Sequence, residues 1–449
     1  EVLAGRRPLL DASAGDLQQR LDRWKADPAS MPKLSVWRQR FEIAGDGAAA
    51  QETWQLAAGL APGSAGRLID LAVQMARIGE KALPWVGAAA PIDASRPPRV
   101  HAIAGGLYCT LSLPLTVSLP VHVNGCFDLD DSRGHLTSRA KDNAAPHELR
   151  AEWNRALLSE GCAAAWIALL KALVPDDPAG FHELWPDPGL PHDPLMKALV
   201  DGFYALARTE PLIRTRQQGQ IRWATAAELR ILPEEANPSL VAALLADGLA
   251  LPEPPLPPGM RRGLAPALLT PGDLRELLRE TPEFDGPVAD APRASLRRPE
   301  WIEAMLAYCA SDSQNDLQDL PLALAGDGTL RAFGPRSKKW IFMPARETQA
   351  LLSRLPTLFL APALARHVTP APDAALYVMS ADHVAGFLKH VVGEVPRDWR
   401  PDASEPPNSA WLAALFRYFA GHDLKPDSFT KLRACALLPG HDGRLHPAA

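Results

Sequence analysis

Between Val100 and Phe127 the chain carries no Asp, Glu, Lys or Arg. A run of that length is long enough to cross a bilayer as a helix. Its composition argues otherwise. Pro114 and Pro120 interrupt any helix, and His101, Ser112, Thr116, Ser118, His122 and Asn124 would all be stranded in lipid. The pattern reads instead as two buried strands joined by a Pro-flanked loop, with Leu111–Val123 expected to form interior sheet covered on both faces.

Flanking segments extend this picture. Leu17, Leu21 and Trp24 fall at helical spacing within residues 1–30, closed by Asp27-Pro28. Residues 33–43 and 51–60 are strand-like and are separated by Gly45-Asp46-Gly47, which predicts an antiparallel hairpin. Residues 66–79 predict a helix. A longer helix is expected from Pro146 to Val174, where Leu149, Trp153, Leu157, Ile167 and Leu170 share a face and Pro146 suits the first turn. Three later segments repeat one design, a short apolar run, a turn and a second apolar run: 211–223, 321–333 and 435–445. The last two turn at Asp327-Gly328 and Asp442-Gly443. Each follows a helical stretch. Leu251–Gly259 reads as a polyproline spacer.

The chain has 449 residues, enough for about three domains. The expected class is α+β, divided as an α+β domain over 1–145, a connecting helix and first α/β unit over 146–250, a Pro-rich linker at 251–259, a second unit over 260–370 and a third over 371–449. The net charge of −5 argues against a nucleic-acid binder, since phosphate neutralisation needs a basic surface. The five cysteines show no C-x-x-C spacing and suit a reduced, cytoplasmic setting. The chain begins at Glu1 without an initiator Met, as a trimmed protein or a piece of a longer one would.

Chemistry-bearing motifs are sparse. No G-x-x-x-x-G-K-[ST] loop and no strand-linked G-x-G-x-x-G is present, so no nucleotide pocket is complete. No H-E-x-x-H or G-x-S-x-G occurs. Asp128, Asp130 and Asp131 stand close enough to suggest a divalent cation, but the further ligands such a site needs do not follow. No metal and no cofactor is expected in this chain.

The most specific stretch is LSLPLTVSLPVHVNGCFDLDDSRGHL, residues 111–136. Leu113-Pro114-Leu115, Leu119-Pro120-Val121-His122-Val123-Asn124-Gly125, Phe127, Leu129 and Ser132-Arg133 together resemble the sacsin family, whose segment reads LPLP, then GLPVHVNG, then F-x-L-x-S-x-RR. Leu83–Ala89 is similar to that family's PWxGVA element, and Trp153-Asn154 to its DWN-type element. The Asp-Gly hairpins are similar to those of sacsin-type repeats and of NO VEIN-like plant proteins. The second arginine of the motif is Gly134 here, so Arg133 is its one arginine; Cys126 and Thr137 are further departures.

The resemblance implies a region that follows a Bergerat-fold ATPase like that of the ninety-kilodalton heat-shock chaperone. It implies a transducer-like domain, then sacsin-type units that bind protein clients or partners. ATP and magnesium would belong to the upstream ATPase domain, in cis. Arg133 is then the candidate contact to the γ-phosphate, with His122, Asn124 and Asp130 supporting its loop. The function so implied is chaperone-like and ATPase-coupled, with hydrolysis residing outside this chain and no membrane or nucleic-acid partner. The alternative is a passive multidomain protein-interaction scaffold with no nucleotide role.

Overall fold

Helix and strand mix along the chain in an α+β arrangement, 41% helical and 19% strand. The computed structural model describes residues 14–27, 30–44, 49–93, 95, 97–115, 117–138, 145–190, 193–217, 219–312, 316–334 and 339–448. These fall into two units. The first comprises Glu1–Arg216, Gln220–Ile231 and Ala250–Ala267; the second comprises Gln217–Gly219, Leu232–Leu249 and Leu268–Ala449.

The first unit is built on one sheet. Its strands are β1 (Ser35–Ala44), β2 (Ala49–Leu60), β3 (Trp85–Asp93), β4 (Arg99–Val100), β5 (Leu107–Cys109), β6 (Leu111–Ser112) and β7 (His122–Gly125). They lie in the order β1-β2-β3-β7-β5-β6, with β4 beside β3. The hairpin of β1 and β2 is antiparallel, with Trp37 opposite Leu56 and Gln39 opposite Trp54. Its turn at Gly45-Asp46-Gly47 lies outside the described residues. β3 pairs antiparallel with both β2 and β7, while β5 runs parallel to β7.

Among the described residues the helices of this unit include α1 (Ala14–Ala26), α2 (Arg67–Arg77), α3 (Ala145–Ala156), α4 (Ala163–Leu173) and α5 (Pro194–Ala207). The sheet residues facing them are small and aliphatic. Ala57, Val86, Ala88, Val123 and Leu107 are each at most 5% exposed, and α4 lies across β2 and β3. Small side chains let a helix settle close to the pleated surface, and the burial of this face is the main driving force for the layer.

α3 and α4 form one continuous rod interrupted by a π-helical turn, Leu157–Cys162. The rod is long and apolar enough to cross a membrane, yet 61% of its most apolar window is buried in the fold. Trp153, Leu157, Trp166 and Leu170 are fully buried. α5 packs on the π turn through Gly202, where an added Cβ would sit 1.9 Å from the Ser159 carbonyl oxygen.

The uncharged segment differs from expectation. Leu113, Val117, Leu119, Val121 and Val123 are buried, but Leu111 is 78% exposed and Ser112, Pro114 and Ser118 are exposed as well. Leu111–Val123 therefore buries one face, and within it only β6 and the start of β7 are strand. Absence of charge does not imply burial on both faces: the outward positions carry neutral serines, a proline and the single leucine Leu111, and an isolated exposed apolar residue is ordinary.

Leu251–Gly259, expected as a Pro-rich linker, is docked on the first unit. Leu251-Pro252 adds as an antiparallel strand to Ile213–Gln217, and Leu251 and Leu256 are 5% and 3% exposed. Arg216 and Arg214 grip Glu253 through its carboxylate and its backbone carbonyl. Two leucines among the prolines supply the burial that docks the stretch.

The second unit holds two small sheets of matching topology. In one, Thr329–Arg331 sits between Asp285–Pro287 and Ala323–Leu324; in the other, Arg444–His446 sits between Arg397–Asp398 and Leu438–Pro439. Gly328 and Gly443 take φ of +86° and +73° at the hairpin turns, as their Asp-Gly pairs require. In the first unit the corresponding hairpin strand Ile213–Gln217 lies between Leu251-Pro252 and Gln220–Ala224, so the added strand joins the first hairpin strand instead of the second.

Candidate functional site

Two features stand out in the first unit: a braced loop that ends at Arg133, and an open sheet face.

The loop leaves β7 at Gly125. Trp153 Nε1 of α3 donates to the Cys126 carbonyl at 3.0 Å. The neighbouring Asn154, fully buried, then clamps both sides of the loop. Its Nδ2 donates to the Asp128 carbonyl at 2.7 Å and to the Thr137 carbonyl at 3.0 Å, while its Oδ1 accepts from Asp128 N–H at 2.8 Å. Thr137 Oγ1 donates to Asp128 Oδ1 at 2.5 Å. Leu129 and Leu136 form a single antiparallel bridge above the clamp. A buried amide satisfied at three points fixes the backbone it touches, because each group it leaves unpaired would cost free energy.

Asp130 closes the tip. Its Oδ1 accepts from Gly134 N–H at 3.1 Å, His135 N–H at 3.2 Å and Ser132 Oγ at 2.8 Å. The Ser132 bond is the main reason that its carboxyl titrates below the ordinary aspartate value. Arg133 stands at this tip, exposed, with φ of +53°. Among the described residues it has no ion pair. Asp130 thus spends its carboxylate inside the loop, while Asp128 shares its own between Thr137 and Arg150 of α3, whose Nε lies 3.9 Å from Asp128 Oδ2; no group of three His, Cys, Asp or Glu suited to a metal ion occurs among the described residues.

His122 and Asn124 lie elsewhere. They project from β7 onto the sheet and hold the stretch around β5 rather than the Arg133 loop. His122 Nδ1 accepts from Gly106 N–H at 2.9 Å, and Asn124 Oδ1 accepts from Thr110 N–H at 3.4 Å. Burial lowers the His122 pKa, and the accepted bond keeps the ring neutral with its proton on Nε2.

Both residues line a cavity of about 970 Å³ on the sheet face opposite α4. The alternation of strands puts Trp37 and Phe41 of β1 and Glu52 and Trp54 of β2 on this face. Small residues of the central strands, Ala58, Gly87 and Ala89, make its floor. Trp54 stacks on His122 at 5.4 Å between centroids, and Tyr108 meets His122 edge-on at 5.1 Å. Large rings flanking a floor of small residues produce a hollow without any loop insertion. Of these lining residues the sequence marks His122 and Asn124 as site candidates, and Trp85, Gly87, Ala88, Ala89 and Val123 only as parts of family elements; the same-face spacing of Trp37 with Phe41, and of Glu52 with Trp54, is the signal that finds the outer strands' contribution.

Over 139 residues the chain is 25% identical to human Sacsin, a match that covers 29% of this chain and 3% of Sacsin. This weak and partial likeness supports a sacsin-like relationship. The chain thus spans only a small part of its curated relative. No protein-family profile and no solved structure matches it.

Proposed function

We propose that this chain is a sacsin-like region of a chaperone-like protein, in which Arg133 couples the nucleotide state of an ATPase domain carried in cis to units that bind protein partners. The observation that carries the reading is the Arg133 loop. An arginine at positive φ is strained by about 1 kcal/mol, and such strain concentrates where function holds it. Its base is clamped by buried Asn154, so the exposed guanidinium projects from a fixed platform. A guanidinium delivered from a separate domain makes charge-assisted contacts to a phosphoryl group only when the domains close, which ties hydrolysis to closure. ATP and magnesium would be held by the ATPase domain, and the setting would be cytoplasmic.

ATP turnover of the full-length protein tests this. Arg133→Ala should lower it by roughly tenfold or more. Arg133→Lys should restore only part, since an ammonium lacks the bidentate fork. Turnover unchanged in both variants would sink the reading. It would leave the scaffold alternative, which the open aromatic face favours because such a face binds partners without nucleotide.

A further inference from the structure

The cavity on the open sheet face has a chemistry of its own, independent of Arg133. Its walls are indole and phenol rings, with Trp37 and Trp54 on one side and Tyr108 on the other. Its charged lining residues are two carboxylates, Glu42 and Glu52, and no Lys or Arg lines it. Among the described residues neither carboxylate is in an ion pair. Glu52 Oε2 accepts the Trp54 Nε1–H at 2.9 Å, which pushes electron density toward the indole ring. His122 stacks at 10° to Trp54, and its neutral state adds no competing positive charge. The floor is closed tightly: a Cβ on Gly87 would lie 3.2 Å from the Ala58 Cβ.

Electron-rich ring faces beside unpaired carboxylates attract a flat organic cation. Arginine fits both elements at once, since its guanidinium stacks on aromatic rings and forks onto a carboxylate. The hollow is at the upper end of ordinary ligand-pocket size, about 300–1,000 Å³, which leaves room for the residues on either side of one side chain. We infer that this face binds an arginine side chain presented by a segment of a protein partner, with Trp54 as the stacking surface and Glu52 as the counter-charge.

The test uses the whole chain and two blocked tripeptides, Ala-Arg-Ala and its citrulline counterpart, which has nearly the same shape without the charge. Binding is read from the indole N–H resonances of the tryptophans. The arginine peptide should shift the Trp54 resonance saturably and bind at least about tenfold tighter than the citrulline peptide, a ratio in line with one exposed cation–π contact plus one exposed charge pair. Glu52→Gln should remove most of that preference and Trp54→Leu should abolish the saturable shift, each with the melting temperature within a few degrees of the parent. Should Trp54→Leu unfold, Glu52→Gln still decides, because Glu52 is exposed and its change leaves the core alone. Arg133→Ala should bind the arginine peptide like the parent chain, which separates this inference from the nucleotide reading. Equal affinity for the two peptides would overturn the proposal in favour of a plain apolar groove. Absence of any Trp54 shift, or a preference that survives Glu52→Gln, would overturn it outright.

Discussion

Replacing Asn154 by Asp changes two atoms' worth of chemistry and almost no volume, so its effect measures the clamp itself. The new carboxyl keeps an acceptor for Asp128 N–H but turns an oxygen toward the Asp128 and Thr137 carbonyls, which now receive Nδ2 bonds at 2.7 and 3.0 Å. Each buried carbonyl left without a donor costs about 1–3 kcal/mol. A carboxylate in a fully buried position beside Asp128 is itself penalised, so its pKa rises above the ordinary value of about 3.9. The expected loss of first-unit stability at neutral pH is about 3–5 kcal/mol. The pH dependence has a definite sign. A raised carboxyl pKa in the folded state destabilises fully above that pKa, and the penalty fades as pH falls toward the unfolded-state value. Protonation also returns one donor to one carbonyl. Asn154→Ala, in contrast, should lose roughly 2–4 kcal/mol from missing bonds and a cavity, with no added pH dependence. Urea unfolding followed by near-ultraviolet circular dichroism at several pH values reads both. An Asp variant within about 1 kcal/mol of the parent at neutral pH, or Asp and Ala variants with the same pH profile, would refute the three-point clamp.

Arg133→Gly should be more stable than Arg133→Ala by about 0.5–1 kcal/mol in thermal unfolding, because glycine accepts a φ of +53° without strain; equal stabilities would show the position is relaxed. Gly202→Ala should lower the melting temperature markedly, at a cost of about 2 kcal/mol or more, since its Cβ would fall 1.9 Å from the Ser159 carbonyl; an unchanged melt would mean α5 can withdraw from the π turn freely. His182 has its pKa lowered from 6.5 to about 4, first by burial and then by the charge of Arg214. A depressed histidine contributes stability that is complete above 6.5 and lost as pH falls toward 4, worth about 3 kcal/mol over that window. His182→Gln should flatten the stability profile between those values, and a parallel profile in the variant would contradict the assignment.

Periodicity made much of the first unit legible. Arg67–Arg77 and the α3–α4 rod follow from apolar residues repeating on one face, and the β1–β2 hairpin from alternation either side of a glycine-rich turn. The Trp153-Asn154 pair was visible as a motif, though not its task, because the groups it bonds lie 17 to 27 positions away. The π turn left no mark: Leu157–Cys162 keeps helical periodicity on both sides. The uncharged run does not reveal its exposed side, because the outward residues of β7, His122 and Asn124, are neutral and face the cavity. That cavity depends on strand order. Trp54 and His122 meet only because β3, with small side chains, lies between β2 and β7, and no local pattern records which strand is whose neighbour.

β7 joins the two features. His122 and Asn124 face the cavity, and four residues beyond Asn124 the chain reaches Asp128 in the Asn154 clamp, with Arg133 at the tip of the same loop. Cys162 of the π turn lies against the same strand, its Sγ 3.8 Å from the Asn124 carbonyl. A segment held this closely at both ends behaves as a rigid piece, so a ligand that shifts β7 must shift the loop, while one that leaves β7 still cannot. Spatial continuity alone is not coupling, which requires an element with two arrangements that both sites bias. The reciprocity of linkage supplies the criterion. In the full-length protein, the factor by which the arginine peptide changes affinity for a non-hydrolysable ATP analogue must equal the factor by which the analogue changes affinity for the peptide. A shared factor well above one, lost in Arg133→Ala, would make β7 the connecting element. A factor of one would make the cavity and the Arg133 loop independent sites that share only a strand.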